Sequence, residues 1–158
     1  MTHWIRCVCV LLLVLTWARL GVAGDPDAQA VEKAVLEAHQ TMTAAAERLD
    51  AEEFFGFILD AAKGPVIQDG RLFANRAEAL EVVKRGFEGI ASVKRAYETT
   101  DVTVISEKAA LLTGKGTSTV TLEDGRSFDG PFAVSLVFVL RDGTWKVLHG
   151  HYSIPNPR

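Results

Sequence analysis

From Ala28 onward, apolar side chains recur at helical spacing. Val31, Val35, Ala38, Met42, Ala45 and Leu49 form one stripe, with Glu32, Lys33, Glu37 and Arg48 on other faces. Asp25-Pro26-Asp27 supplies the start, an acidic cap with proline in the first turn beside the positive dipole end. The pattern predicts a long amphipathic helix of roughly six turns. Asp50 followed by Glu53 reads as a capping box for a short second helix, in which Phe54, Phe55, Ile58 and Leu59 make i, i+4 pairs. Gly64-Pro65 breaks it. Val66-Ile67, the Asp69-Gly70 turn and Leu72-Phe73 then predict a small hairpin. Asn75 with Glu78 opens a third helix, whose face is Leu80, Val83, Phe87 and Ile90 and whose end is weakened by Gly86 and Gly89.

After Ser92 the period changes from that of a helix to that of a strand. Val93–Ile105, Ala109–Leu122, Ser127–Leu140 and Thr144–Ile154 are four long strands joined by turns such as Glu123-Asp124-Gly125 and Arg141-Asp142-Gly143. Connections this short force consecutive antiparallel pairing. The fold class is therefore α+β. In the third long strand Phe132, Val134, Leu136, Phe138 and Leu140 form one face, while Ala133, Val137 and Val139 form most of the other. A sheet wetted on one side would alternate with polar residues, so both faces are expected to be covered. The helices cover one, and a second copy of the chain is the simplest cover for the other. The expected partner is thus a twin in a homodimer.

The first 23 residues read differently. Arg6 precedes an apolar run from Cys7 to Leu15, and Gly21-Val22-Ala23-Gly24 offers a cleavage site, so 1–23 is read as a signal peptide and the protein as secreted or periplasmic. An uncleaved anchor is the alternative. Cleavage removes both cysteines, Cys7 and Cys9, and leaves 15 basic side chains against 20 acidic ones, a formal charge of −5 in place of −3. An acidic mature chain of one domain, residues 24–158, is a poor nucleic-acid or anionic-membrane binder and has no thiol chemistry.

Three helices against a curved four-stranded antiparallel sheet, ending in Asp-Gly-x-Trp (Asp142–Trp145) and His-x-His-x-Ser (His149–Ser153), resemble the nuclear transport factor 2-like, or SnoaL-like, superfamily. The branch most similar holds the association domain of calcium/calmodulin-dependent protein kinase II and its stand-alone bacterial relatives. The resemblance implies a cone-shaped barrel with a pocket between helices and sheet. Relatives in that branch hold small anions with arginines, and the matching positions here are Leu136, Tyr152 and the neighbourhood of Lys115 and Gly116. Those replacements imply a more apolar pocket. The fold hosts isomerases, dehydratases, cyclases and plain assembly modules, so it does not name a reaction.

Candidate chemistry is sparse. Tyr152 and Tyr97 can donate to a ligand carbonyl or a forming enolate, and with Leu136 and Lys115 they make up the expected ligand-binding set. Asp60, after Phe57-Ile58-Leu59, and His39, beside the first helical stripe, are the candidate bases of an isomerase-like site; the plainer readings are a helix-terminating acid and a satisfied core histidine. His149 and His151, two apart on a strand, share a face and have a usable metal-ligand spacing, but a catalytic zinc needs a third protein ligand. Packing at an interface or bonding to backbone is the reading preferred for both. No cofactor is expected. Gly114-Lys115-Gly116 lies inside a strand, without the helix that a phosphate loop must open. The function expected is binding of a small, largely apolar molecule; a cofactor-independent isomerase or lyase and a ligand-free assembly module are the alternatives.

Overall fold

The computed structural model describes residues 26–60 and 63–154. The expected signal peptide, the helix cap at Asp25 and the proline-rich tail lie outside them. Nine elements follow in order: α1 (Pro26–Glu47), α2 (Ala51–Gly56), β1 (Val66–Gln68), β2 (Arg71–Phe73), α3 (Arg76–Phe87), β3 (Ile90–Ser106), β4 (Ala109–Leu122), β5 (Ser127–Arg141) and β6 (Thr144–Ser153).

Local signals account for the helix boundaries. The helix α1 stops in a Schellman arrangement, with Asp50 N–H donating to Ala45 O and Leu49 N–H to Ala46 O while Leu49 takes a left-handed φ of 62°. Asp50 Oδ1 then accepts from Glu53 N–H at 2.8 Å, and Asn75 Oδ1 accepts from Glu78 N–H at 2.9 Å, capping α2 and α3. α2 is shorter than its apolar pairs suggest. Ile58 leaves the helix to bridge Val147 of β6, and Leu59 N–H donates to Val147 O. Ile90, expected on α3, instead starts β3, because Gly89 turns the chain with a φ of 75°.

The six strands form one open, curved sheet in the order β2-β1-β6-β5-β4-β3. The hairpin is not separate: β1 runs parallel to β6 and extends the sheet, and every other neighbouring pair is antiparallel. The inner face carries Ala110 and Leu112 of β4, Phe132, Val134, Leu136 and Phe138 of β5, and Trp145, Val147 and Tyr152 of β6. These pack with Val35, Met42, Ala45, Phe54 and Phe55 of the helices in a single buried cluster. Burial of that apolar surface is the main force holding helices to sheet.

Parity along β6 differs from strict alternation. Val137 pairs with His149 but Phe138 pairs with Val147, so Leu148 is an extra, bulged residue. Trp145 and Val147 therefore join Gly150 and Tyr152 on the inner face, whereas simple alternation places them with His149 and His151. The histidines stand on the outer face, opposite Val137 and Ser135. There Ala133 and Ser135 are exposed, Val137 and Val139 are half-buried, and none of the four belongs to the core cluster. Among the described residues no helix is long and apolar enough to cross a membrane.

Candidate functional site

His39, Thr43 and Glu47 are spaced four apart on α1 and share one side of the helix. They face β3, where alternation puts Val93, Arg95 and Tyr97 on the inner surface. A groove of about 360 Å³ lies between the two elements, lined by these five polar residues together with Leu36, Gln40 and Thr100. Two irregularities hold Tyr97 there. Glu98 is bulged, because Tyr97 pairs with Gly116 while Thr99 pairs with Lys115. Gly114 also leaves room for the ring, since a Cβ at that position would lie 3.1 Å from Tyr97 Cε1.

His39 Nε2 lies 3.1 Å from Tyr97 Oη, with the two rings edge to face at 4.9 Å. Thr43, one turn along α1 from His39, lines the groove beside them. The imidazole is only 4% exposed. Burial, and after it the positive charge of Arg95, brings its pKa down to about 4. At neutral pH the ring is therefore uncharged, with one donor and one acceptor nitrogen. Burial raises the Tyr97 phenol above its usual range, with Arg95 opposing.

Tyr152 lies deeper. Its ring leans over Gly150 beside the Leu136 side chain, since a Cβ on Gly150 would meet both at 3.1 Å, and Phe54 stands 6.4 Å away. Its hydroxyl is buried and has no hydrogen-bond partner among the described residues. Desolvation pushes the phenol strongly upward, and the charge of Arg95 acts on it in the opposite sense. A buried hydroxyl without a partner costs roughly 1–3 kcal/mol, which makes Tyr152 an exception among buried polar groups.

The structure brings His39 and Tyr97 together in the groove and places Leu136 and Tyr152 side by side in the core, outside the groove lining, and it corrects other expectations. Lys115 points to the outer face, 3.7 Å from Glu98, because its neighbours Gly114 and Gly116 take the inner positions; it does not line the groove. Asp60 is exposed in the turn after the Ile58–Val147 bridge, outside the groove lining, so it cannot serve as a base there. His149 Nδ1 lies 3.0 Å from Gly64 O and His151 is exposed. Among the described residues no three potential ligands are grouped to hold a metal ion. The inner wall beneath the helices is filled by Phe54, Leu136 and Phe138, and the groove at α1 and β3 has a mainly polar lining, unlike the more apolar pocket expected. Sequence reading missed Thr43, Glu47 and Arg95. The signals were present: Thr43 and Glu47 continue the His39 spacing, and Arg95 sits between inward-facing Val93 and Tyr97.

Helices over one face of a curved, open sheet are shared with known proteins. A candidate calcium/calmodulin dependent protein kinase II association domain from Xanthomonas campestris has 18% identity and a TM-score of 0.68, over 78% of this chain and 87% of that one. A candidate dehydratase of the NTF2-like family from Streptomyces avermitilis has 19% identity and a TM-score of 0.71, over 82% and 99% of the two chains. A ketosteroid isomerase-like protein from Erwinia carotovora atroseptica has 20% identity and a TM-score of 0.68, over 79% and 96%. Likenesses this distant establish the fold and not the chemistry. No curated protein matches. The SnoaL-like domain model, however, matches residues 35–157, spanning all the long strands and most of α1, and the chain belongs to the SnoaL-like domain family.

Proposed function

We propose that this chain binds a small molecule at the α1–β3 groove, with the Tyr97–His39 pair as its first polar contact and the Tyr152 hydroxyl, buried and outside the groove lining, as a contact that the ligand gains by entering more deeply. The observation that carries the reading is the buried, unpartnered Tyr152 Oη. A protein gains nothing in stability from such a group; a ligand carbonyl or hydroxyl that met it would recover the lost hydrogen bond. The groove is within the size range of small-ligand sites. Export, and pairing of two copies through the outer sheet face, belong to the same reading.

Catalysis is the second reading. It is supported by the neutral His39 in contact with a phenol and by the dehydratase and isomerase-like names among the structural relatives. Binding is preferred because a general base works best when its pKa is near the operating pH, and a value of about 4 makes His39 a weak one.

The test is Tyr152→Phe. Deleting an unpaired hydroxyl should leave the free protein as stable as before or more so, by up to about 1–2 kcal/mol. Compounds that raise the melting temperature of the wild type in a fragment screen should lose most of that effect on the variant. A destabilised variant, or fragments that bind both chains equally, would refute the role given to Tyr152.

A further inference from the structure

Arg95 is the only cation among the described residues lining the groove. Its backbone N–H donates to Glu47 Oε1 at 2.7 Å, which pins β3 to the end of α1 and occupies one oxygen of that carboxylate. The guanidinium itself is uncommitted. Arg48, Arg71 and Arg126 pair with carboxylates and Arg76 donates to Phe55 O. Arg95, like Arg85 and Arg141, has no carboxylate within 4.0 Å and no side-chain hydrogen bond among the described residues, and of these three it is the one that lines the groove. It is half-buried on the inner surface, two residues from Tyr97, and its charge acts on His39, Tyr97 and Tyr152 alike. A planar fork of donors beside a buried phenol and an aromatic wall (Tyr97 packs edge-on against Phe132 at 4.9 Å) suits a compact, flat anion.

We propose that Arg95 receives the carboxylate of the ligand, so that the groove selects a small monocarboxylic acid over its neutral counterpart. This rests on the small-molecule reading above and narrows it to a ligand class. It also replaces the expectation of a largely apolar ligand: the apolar part lies against Tyr97 and Leu36, while the charged end faces Arg95. A carboxylate fits better than a phosphate, because a dianion would meet one guanidinium with the Glu47 carboxylate beside it. Bidentate pairing with a carboxylate uses the guanidinium fully.

The experiment compares phenylacetate with phenylacetamide, which match in shape and differ in charge, by calorimetric titration of the full chain at low salt. The wild type should bind the acid at least roughly tenfold more tightly, as expected for a charge-assisted hydrogen-bonded pair. Arg95→Gln should abolish the preference while keeping the backbone bond to Glu47, and Arg95→Lys should retain part of it. Circular dichroism checks that both variants fold. Equal affinity of the wild type for the two probes, or a preference that survives in Arg95→Gln, would overturn the anion assignment and leave the site standing. If neither probe binds the wild type, the carboxylate proposal falls. If, in addition, no fragment distinguishes the wild type from Tyr152→Phe, the site reading falls with it.

Discussion

At the scale of single residues, the groove is defined by groups held away from their ordinary protonation behaviour. His39 is the clearest. Its pKa is about 4 in the folded chain against 6.5 in the open, so the unfolded state binds more protons between those values. The stability that a neutral His39 supports is therefore complete above about pH 6.5, shrinks as pH falls and is gone below about 4. The difference across the window is on the order of 3 kcal/mol. Denaturant melts of the wild type and His39→Gln at several pH values should diverge in slope through this window, the variant changing less. Parallel slopes would mean that the imidazole is not desolvated. Both tyrosines could be singled out from sequence as phenols on strands, and His39 from its place beside the first helical stripe. Arg95 and Glu47 could not be ranked, since a charged residue on an inward position gains meaning only when the opposing element is known to leave space. Lys115 was misplaced because its position was matched by resemblance, whereas alternation with Gly114 and Gly116 puts it outside.

Among the elements, local chemistry was the readable part. The capping residues Asp50 and Asn75 act within three residues of themselves, and the strand turns likewise, so their effects could be taken from the chain alone. The bulges at Glu98 and Leu148 depend on a partner strand, and no local signal marks them. The bulge at Leu148 puts Trp145 and Val147 on the face opposite to the one simple alternation gives, and the hairpin's parallel bond to β6 was equally hidden. Gly116 joins β3 to β4 most tightly. A Cβ there would lie 2.0 Å from Ala96 O and 2.9 Å from Tyr97 Cα, both backbone atoms that cannot step aside. Gly116→Ala should cost roughly 3 kcal/mol and lower the melting temperature by roughly 10 °C. Gly130→Ala, with nothing within 4 Å of its Cβ, is the control and should be near neutral. Equal melting temperatures for the two variants would show that the β3–β4 approach is looser than described.

For the whole molecule, the two sides of the sheet divide the labour. The inner side packs on the helices and carries the groove. The outer side presents Leu111, Val137 and Val139, half-buried and outside the core cluster, which fits pairing with a second copy. Sedimentation at micromolar concentration should give twice the mass of one chain, and Val137→Asp should reduce it to one by burying an unpaired charge. A wild type that sediments as a monomer at every concentration would rule out this use of the face.

The chain contains two tyrosines, Tyr97 and Tyr152, and both bear on the proposed site. Labelling tyrosine at Cζ therefore gives one carbon resonance for each phenol, with no background from elsewhere. Titration with a compound that stabilises the wild type should move both resonances, that of Tyr152 above all as its hydroxyl gains a partner. If such a compound binds and leaves both phenols unmoved, the ligand lies elsewhere and the groove is not the site.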